Sequence, residues 1–217
     1  MIFENKILLL SKKNILINDY HMENYQEIRN FYSRKKFFKI FGGEIRIYDK
    51  DKKQLLYYVK QKAFKLKEDI FIYKDESLNE VFARIKAESI LDLGTKYNVY
   101  KLQNEQEIKI GAIKRKFLKS IWRDSWKILD AENKVVGIIQ EDSLFKAFLR
   151  RYLTNFIPQK FEIYYKEKLS GILQQTFNPF IAQYYADFSM NLNFPLELAI
   201  ASLVLLQIIE GRQESYV

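Results

Sequence analysis

The sequence predicts a mainly β protein: about twelve antiparallel strands closed into a barrel around a buried C-terminal hydrophobic α-helix, with one amphipathic helix outside. Three observations point that way. The 217 residues hold 17 Phe and 15 Tyr but only 3 Pro and 7 Gly, and aromatic side chains suit the pleat of a strand. Four segments read as β-hairpins, with apolar residues alternating on two arms around a polar turn. The chain then turns to one apolar run, FPLELAIASLVLLQIIEGRQ, Phe194–Gln213.

Taken in order, the first 33 residues read as an N-terminal extension, packed on or near a barrel domain spanning residues 34–217. Ile2–Leu10 reads as a strand, and Tyr25, Ile28, Phe31 and Tyr32 have the spacing of a short helix. His21 is the single histidine and has no cysteine or histidine neighbour to share a ligand with. The four hairpins are Glu44–Val59, Lys96–Lys116, Ser125–Asp142 and Lys160–Phe177. In the third, Trp126, Ile128, Val136, Ile138 and Gln140 mark alternate positions. Between the first two hairpins, Phe64, Leu66, Ile70, Ile72, Val81, Ala83 and Ile85 keep the period of two, which predicts about three more strands. Glu141–Asn155 carries Leu144, Phe145, Phe148, Leu149 and Tyr152 on one helical face, so an amphipathic helix is expected there, and Leu118–Arg123 reads as a further helical turn.

The last run decides between a membrane anchor and a core element, because a helix that is apolar all round must be buried in protein or in lipid. Phe194–Ile209 would be roughly 24 Å long at about 1.5 Å per residue, short of the ~20 residues that cross a bilayer. Glu197 and Gln207 interrupt it, and Arg212 is the one basic residue just beyond. Pro195 suits a first turn and Gly211 an end. A core helix follows. An eight-stranded barrel is filled by its own side chains, whereas a wider one has room for a helix about 10 Å across. Small residues at Ala199, Ala201 and Ser202 would let the surrounding strands come close.

The ordered segments Ile47–Tyr73, Arg84–Tyr100, Ile110–Asp130 and Phe177–Ser189 ahead of the final helix resemble the Tubby C-terminal, phospholipid scramblase and LURP-one-related superfamily, in its small prokaryotic form. The resemblance covers about Phe37–Gln213. It implies a twelve-stranded barrel around a C-terminal hydrophobic helix, the architecture reached above from the residues. It also implies a binding module, since Tubby-like members hold phosphoinositides through basic residues on the barrel surface. Lys114, Arg115 and Lys116 are the local counterpart here. Scramblase-like members add an acidic calcium segment and a palmitoylated cysteine cluster. Here DKDKK, Asp49–Lys53, offers two acids where a hard cation wants six to eight oxygens, and there is no cysteine.

Chemistry is sparse. With no cysteine, disulfides, zinc ribbons and thiol nucleophiles are excluded. A serine triad would have to use His21, outside the barrel, and Gly42-Gly43 is a turn, not a phosphate loop. The expectation is therefore no enzyme, no cofactor and no metal. The net charge is +9 and uneven: Arg34–Lys67 holds 12 Lys+Arg against 3 Asp+Glu, whereas Ser170–Val217 holds 1 against 4. The candidate anion- or lipid-binding residues are Lys60, Lys62, Lys65, Lys67, Lys114, Arg115, Lys116, Arg150 and Arg151. An anionic membrane surface is the partner they suggest, at about 1 kcal/mol per basic residue near an anionic bilayer. Solvated lysines on outward strand positions are also ordinary edge and solubility chemistry, and a structural or protein-interaction role stays open. Nucleic acid is disfavoured, because alternating aromatics belong inside the barrel and not on a stacking platform. The N-terminus lacks the pattern of a signal peptide, so a cytoplasmic protein, peripheral at the inner membrane face, is expected.

Overall fold

The computed structural model describes residues 28–38, 42–61, 69–88, 95–104, 106–116, 125–141, 158–176, 178 and 181–209. Twelve strands run in chain order: β1 (Asn30–Phe38), β2 (Gly42–Asp49), β3 (Leu55–Gln61), β4 (Asp69–Tyr73), β5 (Val81–Ala87), β6 (Lys96–Gln103), β7 (Gln106–Lys116), β8 (Ser125–Leu129), β9 (Val135–Glu141), β10 (Lys160–Tyr165), β11 (Lys168–Thr176) and β12 (Ala182–Asp187). Each pairs antiparallel with its neighbours in sequence, and β1 closes on β12 through Tyr32 opposite Tyr185. The sheet is a closed barrel with no free edge. One helix, α1 (Leu196–Ile209), follows.

All four hairpins form, as β2–β3, β6–β7, β8–β9 and β10–β11. The turns are tight because residues such as Lys52, Asn104, Asn133, Lys166 and Glu167 accept positive φ. Lys166 and Glu167 do so in succession between the paired Tyr165 and Lys168, the two-residue turn whose twist matches that of its strands. Antiparallel order sends these turns, with the Phe188–Pro195 approach to α1, to one end of the barrel.

The helix occupies the interior. Every residue from Leu198 to Ile208 is buried, at about 1.5–3 kcal/mol for each large aliphatic side chain removed from water. Its wall is the inward set of each strand, including Ile45, Ile47, Val59, Ile72, Ile85, Val99, Ile113, Ile128, Ile139, Ile163 and Leu173. The side nearest α1 is β5–β7. There Gly111 supplies clearance, since a Cβ on it would lie 2.3 Å from the Leu129 carbonyl oxygen and 3.2 Å from Leu198 Cδ1. Among the described residues no helix is long and apolar enough to cross a membrane.

Polar groups on β1, and Arg29 just before it, fix the helix at both ends. Arg29 donates to the carbonyls of Phe194 (2.6 Å) and Leu192 (3.3 Å), holding the turn that enters α1. Ser33 Oγ donates to Gln207 Oε1 at 2.6 Å, and Lys35 Nζ to the Gln207 carbonyl at 3.1 Å. A lysine at a helix C-terminus meets the negative end of its dipole. The carbonyl of Pro195 accepts the first helical bond, from Ala199 N at 3.0 Å, and Ser202 Oγ returns to the Leu198 carbonyl at 2.7 Å.

Several local expectations change. Phe31 and Tyr32 lie in β1, not on a short helix. Glu141 closes β9 and is buried instead of opening a helix; residues 142–155, and with them the amphipathic face, lie outside the described residues. In β9 the inward side chain is Ile139, opposite Trp126, whereas Ile138 and Gln140 line the outer face and Val136, in the bulge, is half-buried against the core. A bulge between Ile128 and Leu129 shifts the register and reverses the parity. Between the first two hairpins β4 and β5 are present; Phe64 and Leu66 lie outside the described residues, as do Ile2–Leu10, His21, Tyr25, Leu118–Arg123 and Gly211.

Candidate anion-binding face

Most inward residues are apolar, and the buried Ser33, Lys35 and Gln207 are bonded to one another, so the candidate chemistry lies on the outer wall. Around much of that wall the cations are already paired. On β2, Arg46 Nε lies 2.6 Å from Glu76 Oε1, and its Nη1 bonds Glu44. Tyr58 OH completes the group, 3.0 Å from Glu44 Oε2. Burial and this bond push the Tyr58 phenol up to about 12. Burial alone would raise the Glu44 carboxyl, but the bonds from Arg46 and Tyr58 win and hold it below the usual carboxylate range. On β4, β5 and β7, Arg84 bridges Asp69 (2.7 Å) and Glu107, and Lys86 reaches Glu107 at 2.7 Å. The bond from Lys86, aided by Arg84, lowers the Glu107 pKa.

The wall of β6–β8 is different. Lys96 of β6 stands directly opposite Lys114 of β7, and Lys114 directly opposite Lys127 of β8. Three lysines thus lie side by side across three strands, where like charges repel. Lys114 and Lys127 are exposed, and neither has an ion-pair partner among the described residues. Lys96 has one acid, Glu88, at 2.8 Å. It also shares an acceptor with Lys109: Asn133 Oδ1 receives Lys109 Nζ at 2.8 Å and Lys96 Nζ at 3.2 Å. The two ammonium groups are therefore at most 6.0 Å apart, a repulsion of about 0.7 kcal/mol even at the dielectric constant of water. Asn133 is delivered by the β8–β9 turn, where its φ is 65°. Of these four lysines only Lys96 has a carboxylate partner among the described residues, and an anion laid across the face would relieve the row.

The candidate residues named from the sequence scatter. Lys114 is in the row. Arg115 is one position on, so strand alternation turns it to the face of Trp126, with its guanidinium 5.5 Å from the indole. Lys116 ends β7, and nothing of its side chain lies within the described residues. The AIKRK run is thus not one patch. Lys60 is exposed on β3 opposite Glu44, four strands from β7. Lys62, Lys65, Lys67, Arg150 and Arg151 lie outside the described residues. Lys96, Lys109, Lys127 and Asn133 did not emerge from the sequence. The register of the β6–β7 hairpin could have found Lys96, but the partner of Lys114 on β8 lies beyond a connection that local pattern does not span.

The acidic turn is committed to itself. Asp49 Oδ1 accepts the backbone N–H groups of Lys53 (2.7 Å) and Gln54 (3.1 Å). Among the described residues no group of three or more Asp, Glu, His or Cys could hold a metal ion.

A family model described as LURP-one-related matches residues 29–185. The match begins at Arg29, takes in β1 through most of β12, and stops before α1. No curated protein and no solved structure matches the chain.

Proposed function

The chain belongs to the LURP-one-related family, within the Tubby-like superfamily, and we propose that its barrel is a non-enzymatic binding module holding anionic phospholipid headgroups, phosphoinositides included, on the lysine face of β6–β8. One observation carries the reading: Lys114 sits directly between Lys96 and Lys127 with no acid partner among the described residues. A sheet that only needed solubility would alternate the signs, as β4, β5 and β7 do around Arg84. Phosphate oxygens suit a row of ammonium groups, each a compact charge with three donors. Such a module acts peripherally, with the barrel lying side-on against a surface.

Co-sedimentation with vesicles tests it. The readout is the increment in binding when acidic lipid is added to a neutral vesicle. That increment should shrink as salt rises and fall about fivefold for each lysine neutralised, from about 1 kcal/mol per charge. Lys114→Glu should abolish it and Lys60→Glu should not. The absence of any acidic-lipid increment at low salt rejects the proposal. Binding of a protein partner that ignores charge reversal at Lys114 would favour the structural role, and salt-dependent retention of nucleic acid on a filter would favour that class instead.

A further inference from the structure

Six strands away around the barrel, on the outer wall of β12, β1 and β2, three tyrosines stand in one cross-strand row: Tyr185 opposite Tyr32, and Tyr32 opposite Tyr48. The rings of Tyr32 and Tyr185 have centroids 5.2 Å apart and planes at 51°, so they open as a notch. The notch holds a cation from the chain itself. Lys52, thrown back from the β2–β3 turn by a φ of 63°, puts its Nζ 4.2 Å from the centroid of Tyr32 and 5.3 Å from that of Tyr185. A second cation flanks it: Arg34, one outward position along β1 from Tyr32, lies 5.3 Å over the Tyr48 ring and donates to Tyr48 OH at 3.0 Å. The carboxylate next along β12, Asp187, is engaged by Ser189 through its N–H and hydroxyl at 2.9 and 2.6 Å.

We infer that this notch is a binding site for a phosphocholine group, its quaternary ammonium replacing the Lys52 ammonium between Tyr32 and Tyr185 and its phosphate meeting Arg34 and the displaced Lys52. An ammonium within about 6 Å of a tyrosine centroid is attracted by the ring, and quaternary ammonium ions are the ligands that aromatic notches select. A lysine ammonium is strongly hydrated, whereas a quaternary one has no N–H to solvate and loses less on entering. A bare cation would be repelled by Arg34 and Lys52, and a bare phosphate would leave the rings unused. The zwitterion satisfies both halves of the site. The inference is independent of the lysine face of β6–β8.

Titration of the full chain with phosphocholine, followed by NMR at the tyrosine rings, tests it. Saturable binding is expected, at least fivefold tighter than for choline or inorganic phosphate alone. Tyr185→Leu should weaken it at least tenfold while the melting temperature holds, because Tyr185 is 39% exposed. Arg34→Gln should bring phosphocholine down to the level of choline. Lys52→Ala should tighten choline severalfold by emptying the notch. Lys114→Glu should change none of these. No saturation with phosphocholine, no loss in Tyr185→Leu, or weaker choline binding in Lys52→Ala would each overturn the inference. Phosphatidylcholine vesicles in parallel identify the source: retention lost in Tyr185→Leu assigns the site to a lipid headgroup, and binding of the soluble compound alone assigns it to a free metabolite.

Discussion

Ser33 Oγ and Gln207 Oε1 meet at 2.6 Å inside the barrel, 174 residues apart in sequence. Gln207 is fully buried among the aliphatic residues of α1, and its amide nitrogen reaches the Ala182 carbonyl at 3.4 Å. Its backbone carbonyl takes the buried Lys35 ammonium. β1 therefore fixes where α1 ends, and Arg29, just before β1, fixes where it begins. The apolar side chains supply the attraction that puts the helix inside; these few polar bonds set its rotation and depth, because a slid helix would leave them unmade.

A double-mutant cycle on this pair should show coupling. Gln207→Leu leaves the Ser33 hydroxyl buried without its acceptor, at a cost of about 1–3 kcal/mol. Ser33→Ala in the same background should restore part of it, since removing both partners of a buried bond is nearly neutral. Denaturant unfolding of the four proteins measures the coupling; strictly additive losses would mean the bond carries no specific energy.

The strands were legible because alternation is local: each hairpin shows both arms and its turn within about twenty residues. The helix was legible from Leu198 to Ile208, where no polar face exists to put toward water. What sequence could not show was whatever depended on closure. Lys35 reads as one cation in an RKK run, yet it is buried, because its partner lies at the far end of the chain. The parity of β9 was lost to a single bulged residue. The lysine row needs the register of two ladders at once, and the tyrosine row needs the β1–β12 seam.

Gly111→Ala should be among the most damaging small substitutions. The added methyl would lie 2.3 Å from a backbone oxygen of β8 and press on Leu198. The Leu129 oxygen belongs to the backbone and cannot swing aside, and the Leu198 methyls are packed inside the barrel, so β7 or β8 must shift, typically for about 1–3 kcal/mol. A midpoint unchanged in thermal or denaturant unfolding would show that the wall yields more easily than its geometry implies.

Stability should fall at both ends of the pH range through two clusters of the outer wall, Tyr58–Glu44–Arg46 and Glu107–Arg84–Lys86. The folded Tyr58 phenol holds its proton up to about 12 against an ordinary 10.0, so the unfolded chain releases a proton first as pH rises. The stabilisation is complete below pH 10 and is lost between about pH 10 and 12. Glu44 and Glu107 have lowered folded pKa values, so their contribution is present above the ordinary 4.5 and is lost as pH falls through the folded values. Tyr58→Phe should flatten the alkaline slope of the unfolding free energy and leave the contribution of Glu107 to the acid slope intact.

Charge reversal at Lys127 separates stability from binding. Lys127 faces Lys114 directly, so Lys127→Glu turns a repulsive cross-strand pair into an attractive one. The barrel should gain about 0.2–1 kcal/mol, less at high salt. The same change removes one ammonium from the face proposed to hold acidic headgroups and adds a repelling carboxylate, so the acidic-lipid increment should fall well beyond fivefold. A row of merely solvated lysines would give the gain in stability with no loss of binding. A row retained for binding gives both, because the repulsion that an anion relieves is also a standing cost in the free protein. Measuring the melting midpoint and the vesicle increment on one preparation of Lys127→Glu decides between them, and Lys60→Glu on β3, opposite Glu44 of β2, controls the vesicle increment for net charge.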